Sequence, residues 1–395
     1  MSKPRIVHMV EAYEKTGGPP RLVRLLLQSP LRDKYDFHVL TYSISGLDLK
    51  ALFMLHRQIV RLKPAVVHIH GLKCDGFIAT VAARLACEPR LLVTIHGSTA
   101  DGIKDYHTFN QKLRQWVVGQ ILEPITLRLA DAVYCVCNAM KHNPRIRKHA
   151  SGRLHDTIYN GVQINPVTRK TNSLRKDFGF ADDDLVLLYV GRITRDKGLE
   201  VLAAAINAIV RVELRLSAVQ RRKIKLLLVG DGQAFNEIRA CFQPLIETNH
   251  VVMTGRRDDI DELNDMADLF VFPSLHENLP FSLLEAMNSS RAIVATAVGG
   301  NIEVVEDGRT GLLVPPGDAG ALAHAILRLA ADDQLRSAMG KAGQRRLATH
   351  FSADEVIRKT DALYELLLTE AKVAMKADTR SNHIANPSRP IPLES

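Results

Sequence analysis

The sequence predicts an α/β protein with two parallel-sheet domains, and three observations support this prediction. The chain has 395 residues, which is long for one domain and natural for two. Short apolar runs, typical of buried strands, alternate with segments of helical periodicity, a pattern that favours parallel strands with helices on both faces. The alternation stops in a polar segment, 163–184, and then begins again. We therefore expect two such units joined by a linker.

The composition is that of a soluble globular protein, with 46% apolar and 24% charged residues. No apolar run approaches the ~18 residues of a membrane span. A strand-like run begins near the N-terminus, so we expect neither a signal nor a transit peptide and predict a cytoplasmic protein. The five cysteines lack the paired spacing of zinc ligands and are interpreted as buried, reduced thiols: Cys74, Cys87, Cys135, Cys137 and Cys241.

The charge is unevenly distributed along the chain. Residues 1–170 contain 25 Lys and Arg against 12 Asp and Glu, whereas residues 171–395 contain 27 against 31. A basic first half suits an anionic partner such as lipid headgroups or a phosphorylated acceptor, although a solvated surface is an equally good explanation. No motif typical of nucleic-acid binding is present, so we expect no nucleic-acid partner.

In the first half the pattern predicts five strands and four helices. The strands are 5–10, 37–42, 65–70, 91–95 and 132–136, and the helices are 21–28, 49–62, 76–85 and 110–130. Gly17 and Gly18 follow the first strand, and paired glycines allow a backbone to approach a ligand closely. His96 and Gly97 directly follow a strand, where open α/β sheets place ligand groups. His70 ends another strand but has no further feature that marks it.

The second half repeats the pattern. Strands are predicted at 185–190, 224–229, 251–255, 269–272 and 292–295, with a strand and turn at 311–318, and helices at 198–212, 260–267, 281–287, 318–330, 334–348 and 353–375. Asp318 is a predicted N-cap. Arg192 and Lys197 follow the first of these strands and are suited to bind a diphosphate through charge-assisted hydrogen bonds. Gly230-Asp-Gly232 is not a dinucleotide fingerprint, because the third glycine is absent.

The segment 270–287 has the clearest site pattern. Pro273 ends a strand, and Pro280 occupies a plausible first-turn position of a helix. The segment therefore places a helix N-terminus at the carboxyl end of a strand, which suits a phosphate group. Glu277 lies in the loop and Glu285 two turns into the helix, so both carboxylates are predicted to reach one pocket.

Seven motifs in order resemble those of retaining, sugar-nucleotide-dependent glycosyltransferases of the two-domain GT-B architecture, glycosyltransferase family 4. The resemblance covers about residues 4–370. It is based on Gly17-Gly18, Thr-Ile-His-Gly at 94–97, Asn160-Gly-Val162, Gly191-Arg192 with Lys197-Gly198, Gly230-Asp-Gly232, the Glu277–Glu285 spacing, and Gly299-Gly300 with Glu303.

The resemblance implies a GT-B fold of two Rossmann-like domains that face each other across a deep cleft. It implies an acceptor domain at 1–165, a linker at 166–184, a nucleotide-sugar domain at 185–350, a helix at 351–375 that returns to the first domain, and a disordered tail at 376–395.

By the same resemblance, His96, Glu277, Arg192 and Lys197 would be catalytic. The donor would be held by Gly17, Gly18, Arg192, Lys197, Gly255, Glu277, Asn278, Leu279, Pro280, Phe281 and Glu285. Arg192 and Lys197 would stabilise the departing diphosphate, Glu285 would receive the ribose hydroxyls, and Glu277 would hold the sugar.

The resemblance also implies that no metal or other cofactor is needed, because the two basic side chains replace a metal. Retention would follow from acceptor attack on the leaving-group face, and Glu277 as a covalent nucleophile is the less favoured alternative. Three positions depart from the family pattern. Asn278 replaces a common glycine, Pro19-Pro20 stiffens the first loop, and Cys137 replaces a common serine.

We therefore expect transfer of a hexosyl group, with UDP as the commonest donor base in the family, to a lipid-linked or saccharide acceptor. Cell-surface polysaccharide, lipopolysaccharide or glycolipid synthesis is the expected setting. The basic first half favours peripheral association with an anionic membrane surface. The alternatives are a GT-B sugar-nucleotide epimerase, a phosphorylase, for which no cofactor lysine is identified, and a non-catalytic sugar-nucleotide-binding protein.

Overall fold

The structure is a computed structural model. It describes residues 3–11, 13, 17–42, 46–86, 89–99, 108–164, 172–213 and 223–384. In the first half the elements are β1 Arg5–Glu11, α1 Gly18–Gln28, α2 Leu31–Lys34, β2 Asp36–Tyr42, α3 Leu49–Leu62, β3 Val66–His70, α4 Cys74–Ala86, β4 Arg90–Ile95, α5 Phe109–Val117, a π-helical turn Val118–Leu122, α6 Glu123–Leu129, β5 Ala132–Cys135, α7 Asn138–Lys141 and α8 Pro144–His149.

The second half follows after a short helix. Its elements are α9 Asn172–Asp177, β6 Leu185–Val190, a 3₁₀ turn Arg195–Lys197, α10 Leu199–Glu213, β7 Ile224–Val229, α11 Phe235–Glu247, β8 Val251–Gly255, α12 Ile260–Met266, β9 Leu269–Phe272, α13 Phe281–Asn288, β10 Ala292–Thr296, α14 Asn301–Val304, β11 Gly311–Val314, α15 Ala319–Ala331, α16 Asp333–His350 and α17 Ala353–Ile384.

Two separate parallel sheets confirm the predicted architecture. The first has the strand order β2-β1-β3-β4-β5 and the second β11-β10-β9-β6-β7-β8. Strands β3, β5, β7, β9 and β10 are buried along their whole length. Strands that are buried along their whole length are expected in a sheet covered on both faces.

The last helix returns to the first domain, as expected from the resemblance. The chain crosses where Val162 N donates to Phe351 O at 3.1 Å and Ala353 N donates to Val162 O at 2.9 Å. Beyond this crossing, Tyr364 and Leu367 of α17 pack with Ile6 of the first sheet in one buried cluster. Helices α1 and α17 thus cover one face of that sheet, while α3, α4 and α6 pack on the other.

Several predicted bounds are wrong. Helix α1 begins at Gly18 rather than residue 21, because Pro19 and Pro20 are compatible with a first helical turn. Helix α11 was missed, since Pro244 lies inside it. Helix α17 continues to Ile384, past the predicted end at 375.

Other predictions are refined or untested. The predicted helix 110–130 contains the π-helical turn, and the predicted linker contains α9. Cys241 is exposed rather than buried, whereas Cys74, Cys135 and Cys137 are buried as expected. Cys87 and residues 385–395 of the predicted disordered tail lie outside the described residues. Among the described residues, no helix is both long and apolar enough to span a membrane.

Candidate active site

The candidate site lies where the carboxyl ends of the two sheets meet. The loop after β4 of the first sheet touches the loop after β9 of the second, because Asn278 Nδ2 donates to His96 O at 2.9 Å. Loops at the carboxyl ends of parallel strands are where α/β folds place their ligand groups. The two loops bring together the histidine and the acidic turn that the sequence singled out.

The basic loop after β6 is held in a tight turn. Its 3₁₀ turn ends at Gly198, which has a positive φ of 64°. A Cβ at this position would lie 2.2 Å from Pro273 O, so only glycine lets this loop pack on the end of β9. The close packing brings Lys197 to the acidic turn.

Lys197 and Glu277 form a buried ion pair. Lys197 Nζ lies 2.6 Å from Glu277 Oε1 and 3.2 Å from Asp196 Oδ2. Ser274 Oγ donates to the same Glu277 oxygen at 2.8 Å. Burial by itself raises the pKa of Asp196, but the Lys197 ammonium and a hydrogen bond from Thr194 hold that pKa below its usual range. A cation and two carboxylates therefore share one pocket, where the resemblance places both Lys197 and Glu277.

Arg192 is exposed beside this pocket. Its carbonyl oxygen accepts a hydrogen bond from Tyr189 Oη at 3.0 Å. Burial raises the pKa of Tyr189, the Glu277 and Asp196 carboxylates raise it further, and the Arg192 charge lowers it. The Arg192 and Glu277 charges thus act on the same phenol, so the predicted cationic pair and Glu277 lie at one site.

The acidic turn leads into α13 as predicted. Pro280 is the N-cap of this helix, with an extended backbone, and Phe281 is its first residue. Leu279 is buried, and its carbonyl accepts a hydrogen bond from Asn160 Nδ2 at 2.8 Å. The turn that carries the predicted donor residues is therefore fixed from the first domain.

Glu285 has a partner that the sequence did not reveal. Arg21 Nη2 of α1 donates to Glu285 Oε1, and the Arg21 guanidinium carbon lies 4.8 Å from the centroid of the Phe281 ring. Burial raises the pKa of Glu285, and the Arg21 charge offsets part of that rise. Glu277 and Glu285 thus have different cationic partners, one from each domain.

The paired glycines lie against this same helix. A Cβ at Gly18 would lie 3.6 Å from the Phe281 ring, and Gly17 precedes α1 as its N-cap. The first-domain loop therefore faces the start of α13, which is the position that the resemblance implies for a loop closing over a donor. Sequence reasoning missed Arg21, and its position three residues after Gly18 is a signal that could have identified it.

Glu303 makes a further contact between the domains. Its two carboxylate oxygens accept from Asn138 N at 2.8 Å and Ala139 N at 2.9 Å, the first N–H groups of α7. A carboxylate is well placed at a helix N-terminus, where the free N–H groups point outward. Glu303 of the second domain therefore caps the helix whose N-cap residue is Cys137.

Gly255 and the Gly230-Asp-Gly232 turn lie next to the basic loop. Gly230 N donates to Gly255 O at 2.8 Å, which joins the ends of β7 and β8. A Cβ at Gly230, where φ is 145°, would lie 1.8 Å from Gly191 O. These glycines therefore let the loops after β6, β7 and β8 pack backbone to backbone.

His96, which is partly exposed, lies at the end of a chain of ring contacts that passes through the buried His70 and His8. His96 Nε2 lies 3.4 Å from His70 Nδ1, and His70 Nε2 lies 3.0 Å from His8 Nδ1. His8 Nε2 lies 3.5 Å from Tyr364 Oη on α17. Burial lowers the pKa of His96 and of His8 to about 3, so these imidazoles stay neutral at physiological pH.

His8, His68 and His70 also bring one ring nitrogen each within 4.8 Å of one another, a spacing compatible with a metal ion. His68 bonds Tyr364 Oη at 2.7 Å and Thr94 Oγ1 at 2.6 Å, and both nitrogens of His70 are engaged in the chain above. Because partners within the protein satisfy these imidazoles, we interpret the group as a hydrogen-bond network.

Two family models match the chain. The model described as Glycosyltransferase Family 4 matches residues 7–165, and the one described as Glycosyl transferases group 1 matches residues 184–332. The chain therefore belongs to the GT-B glycosyltransferases of family 4, as the order of its motifs indicated.

Named relatives agree with this assignment. The chain is 32% identical over 291 residues to the alpha-D-kanosaminyltransferase of Streptomyces kanamyceticus, covering 70% of this chain and 71% of that one. It is 26% identical over 331 residues to the capsular polysaccharide biosynthesis glycosyltransferase CapM of Staphylococcus aureus, covering 82% and 81%. It is 24% identical over 351 residues to the UDP-Gal:alpha-D-GlcNAc-diphosphoundecaprenol alpha-1,3-galactosyltransferase of Escherichia coli, covering 86% of each.

Solved structures share the fold. Sucrose-phosphate synthase from Thermosynechococcus elongatus superposes with a TM-score of 0.76 at 21% identity, covering 93% of this chain and 100% of that one. Anabaena HepE in complex with UDP-glucose superposes with a TM-score of 0.71 at 20% identity, covering 91% and 99%. Both confirm the GT-B architecture predicted from the sequence.

Proposed function

We propose that this glycosyltransferase is a retaining, metal-independent hexosyltransferase that uses a nucleotide diphosphate sugar, with UDP as the favoured base. The observation that carries the proposal is the Lys197–Glu277 ion pair of 2.6 Å beside Arg192, at the carboxyl edge of the second sheet and opposite the first-domain loops. Such a pocket offers cations to a diphosphate and a carboxylate to sugar hydroxyls. HepE, a structural neighbour, is described in complex with UDP and with UDP-glucose.

In the proposed reaction, the bond between the anomeric carbon and the β-phosphate oxygen breaks on the face where the acceptor hydroxyl attacks. The acceptor oxygen bonds to the anomeric carbon, and its proton passes to the departing β-phosphate oxygen. Arg192 and Lys197 stabilise the negative charge that develops on the diphosphate, which is the role that a metal has in other enzymes. Glu285 receives the ribose hydroxyls, and His96 lines the reaction centre with a neutral imidazole.

Glu277 is better suited to hold the sugar than to attack it. Its Oε1 accepts from both Lys197 and Ser274, and these contacts draw electron density from the carboxylate. Both contacts lower the nucleophilicity that a covalent intermediate would require of this carboxylate. We therefore favour attack on the leaving-group face without a covalent enzyme intermediate.

The proposed acceptor is a lipid-linked or saccharide hydroxyl in the synthesis of cell-surface polysaccharide, lipopolysaccharide or glycolipid. The name of the E. coli relative contains a diphosphoundecaprenol-linked acceptor, and CapM is named for capsular polysaccharide biosynthesis. A lipid-linked acceptor would place this enzyme at the inner face of the cytoplasmic membrane, as a cytoplasmic, peripherally bound protein.

Isothermal titration with UDP, GDP and ADP tests the diphosphate assignment. Lys197→Ala is expected to abolish binding of whichever diphosphate the wild type binds. The matched control is Arg195→Ala, in the same 3₁₀ turn, whose guanidinium bonds Glu237 at 3.1 Å on the exposed side. Unchanged binding in Lys197→Ala, with a wild-type melting temperature, would overturn the assignment.

A panel of nucleotide sugars, screened for slow donor hydrolysis with and without EDTA, tests the donor class, the type of reaction and the independence from metal. We expect hydrolysis of one class of donor that EDTA does not diminish. Epimerised sugar nucleotide in place of hydrolysis would favour an epimerase, and tight binding without hydrolysis or transfer would favour a non-catalytic protein. Loss of turnover in EDTA, restored by a divalent cation, would refute metal independence.

A further inference from the structure

Two helices of the first domain expose large apolar side chains. In α3, Leu49 is 77% exposed and Phe53 is 61% exposed, and Val60 lies on the same side of the helix. In α5, Phe109 is 76% exposed and Trp116 is 57% exposed. Several large apolar side chains exposed on one helix face, rather than singly, are typical of an interaction surface.

The exposed side of α3 has an interfacial pattern. Ala51, Leu55 and Ile59 are buried, so the inner face of this helix packs on the domain core. On the outer face, Leu49, Phe53 and Val60 adjoin cations, which are Lys50, Arg57 and Arg61. Residues 49–63 contain no Asp or Glu. A helix with apolar residues beside Lys and Arg is typical of segments that lie in a bilayer interface.

Helix α5 adds an aromatic stripe. Phe109, Leu113 and Trp116 recur at helical spacing, and this helix has no buried residue. Thr108 and Gln111 form a capping box that holds the helix start, although its side chains are exposed. Residues 109–122 contain Lys112 and Arg114 but no acidic residue. Tryptophan is enriched where membrane meets water.

The fold brings both helices to the same side of the domain. Helix α3 packs on α4, and the π-helical turn after α5 packs on Cys74 and Phe77 at the start of α4. A helix that follows a parallel strand begins at the carboxyl edge of the sheet. Helix α3, which follows β2, therefore begins at the edge that faces the cleft, and the end of α5 lies beside the start of α4 at that same edge.

We infer that the exposed sides of α3 and α5 form a docking face that binds an anionic lipid bilayer, with the mouth of the cleft directed at the headgroups. Charge complementarity selects the partner, since Lys50, Arg57 and Arg61 adjoin the exposed apolar side chains of α3 and no Asp or Glu occurs in α3 or α5. The inference depends on the proposed function only for the lipid-linked acceptor, because the docking face itself is inferred from the exposure and charge of its side chains.

Trp116 is the only tryptophan in the chain, so it reports on this face directly. With the full-length protein and vesicles of phosphatidylcholine and phosphatidylglycerol in a 3:1 ratio, we expect a blue shift of Trp116 emission and quenching by brominated lipids. Pure phosphatidylcholine vesicles should give a much smaller effect, and high salt should weaken binding to the anionic vesicles.

Two sets of variants make the test specific. Arg57→Gln with Arg61→Gln should weaken vesicle binding in sedimentation roughly 30-fold, about fivefold per cation. The matched control is Lys341→Gln with Arg345→Gln, an exposed pair at the same spacing on α16 of the second domain. Phe53→Ser should weaken binding on the order of tenfold, whereas Leu85→Ser, at the far end of α4, should not.

The outcomes separate the docking face from the proposed chemistry. Vesicle binding that the α3 variants reduce, with nucleotide diphosphate binding unchanged, supports the docking face. Protein that stays in the supernatant with anionic vesicles, or that sediments with unshifted Trp116 emission, overturns it. The docking face is also overturned if the α3 variants change the oligomeric state but leave vesicle binding unchanged, because the face would then bind a protein partner. Failure of nucleotide binding in the wild type would refute the proposed function and leave the docking result standing.

Discussion

Arg21 of the first domain and Glu285 of the second form an ion pair across the cleft, although 264 residues separate them in the chain. Glu285 is the carboxylate proposed to receive the ribose hydroxyls of the donor. A ribose that binds there must therefore take over the contact that Arg21 now makes. The pair holds the two domains together at the position where the nucleotide is expected to enter.

Removal of Arg21 is expected to strengthen nucleotide binding. Arg21→Gln frees Glu285 for the ribose, and because Arg21 is partly exposed the gain should be about 1 kcal/mol or less, up to roughly fivefold in Kd. Glu285→Gln should weaken binding roughly 10- to 100-fold, since a charge-assisted hydrogen bond contributes about 1.5–3 kcal/mol. Titration at pH 8 with the diphosphate that binds most tightly measures both.

A weaker affinity in Arg21→Gln would show that Arg21 is a ligand of the nucleotide rather than its competitor. The double variant serves as the control, because an effect of Arg21 that acts through Glu285 should disappear when Glu285 is replaced. If Arg21→Gln changed the affinity equally in the wild-type and Glu285→Gln proteins, Arg21 would not compete with the ribose for Glu285.

The same pair predicts how stability depends on pH. Burial raises the pKa of Glu285 above its unfolded value, so the folded protein binds a proton more tightly and unfolding becomes easier as pH rises through that window. Arg21 lowers this pKa, so its removal should raise the pKa of Glu285 further. The pH range over which stability is lost should then extend to higher pH. The Arg21→Gln variant should melt below wild type at pH 8, and this difference in melting temperature should be roughly 2 °C larger at pH 8 than at pH 5.

Calorimetric melting curves from pH 5 to pH 8 check this result. In the Glu285→Gln background the Arg21→Gln substitution should have no pH-dependent effect, because the titrating group is absent. Parallel curves for wild type and Arg21→Gln would show that the guanidinium does not set the ionisation of Glu285.

Local features of the fold were predictable from the sequence, and the helices that were missed or misplaced can be explained by individual residues. Strand β9 and helix α13 were predicted because Pro273 and Pro280 punctuate an apolar strand and a helix-forming run. Helix α11 was missed because Pro244 interrupts its pattern, although the rest of the helix accommodates it. The start of α1 was misplaced because Pro19-Pro20 was interpreted as part of a loop.

The site was predictable only where one segment carries the signal. Lys197 and Glu277 stand out because each lies in the loop that follows a strand, and parallel topology brings such loops together. The contacts of Arg21 with Glu285 and of Asn278 with His96 depend on how the two domains face each other. No periodicity or spacing encodes that arrangement, so these partners were missed.

Asn278 is expected to position the His96 loop. Its amide nitrogen donates to His96 O at 2.9 Å, and a Cβ at Gly97 would lie 3.2 Å from the same nitrogen. Asn278→Gly removes one hydrogen bond and should lower kcat roughly two- to tenfold, in line with a net contribution of about 0.5–1.5 kcal/mol. Asn278→Asp should lower kcat further, because a carboxylate would then face a carbonyl oxygen.

Steady-state assays with the preferred donor measure both variants. Asn207→Asp is the control, since Asn207 Nδ2 donates to a backbone oxygen within α10, at 2.9 Å and outside the candidate site. If Asn278→Asp retained wild-type kcat, the contact would be a consequence of packing and not a positioning interaction.

The histidine chain predicts a residue that acts through His96 without touching substrate. His70 Nδ1 lies 3.4 Å from His96 Nε2, so His70 fixes which ring nitrogen of His96 carries the proton. His70→Leu should lower kcat roughly 10- to 100-fold with the KM for the donor unchanged, less than the 10²–10⁴-fold associated with losing an acid–base group outright. His70→Gln should recover part of that loss, because an amide can donate and accept in place of the ring.

The decisive control for His70 is His68, which is buried in the same strand and bonds Tyr364 and Thr94. His68→Leu should lower the melting temperature as much as His70→Leu does, because each leaves buried polar partners unsatisfied. It should leave kcat nearly unchanged, since the hydrogen bonds of His68 in the described part of the chain go to Tyr364 and Thr94 and none goes to His96. ¹⁵N spectra of the imidazoles should show a change of the His96 tautomer in His70→Leu alone. Equal losses of kcat in the two variants would mean that the histidine network stabilises the sheet and has no part in orienting His96.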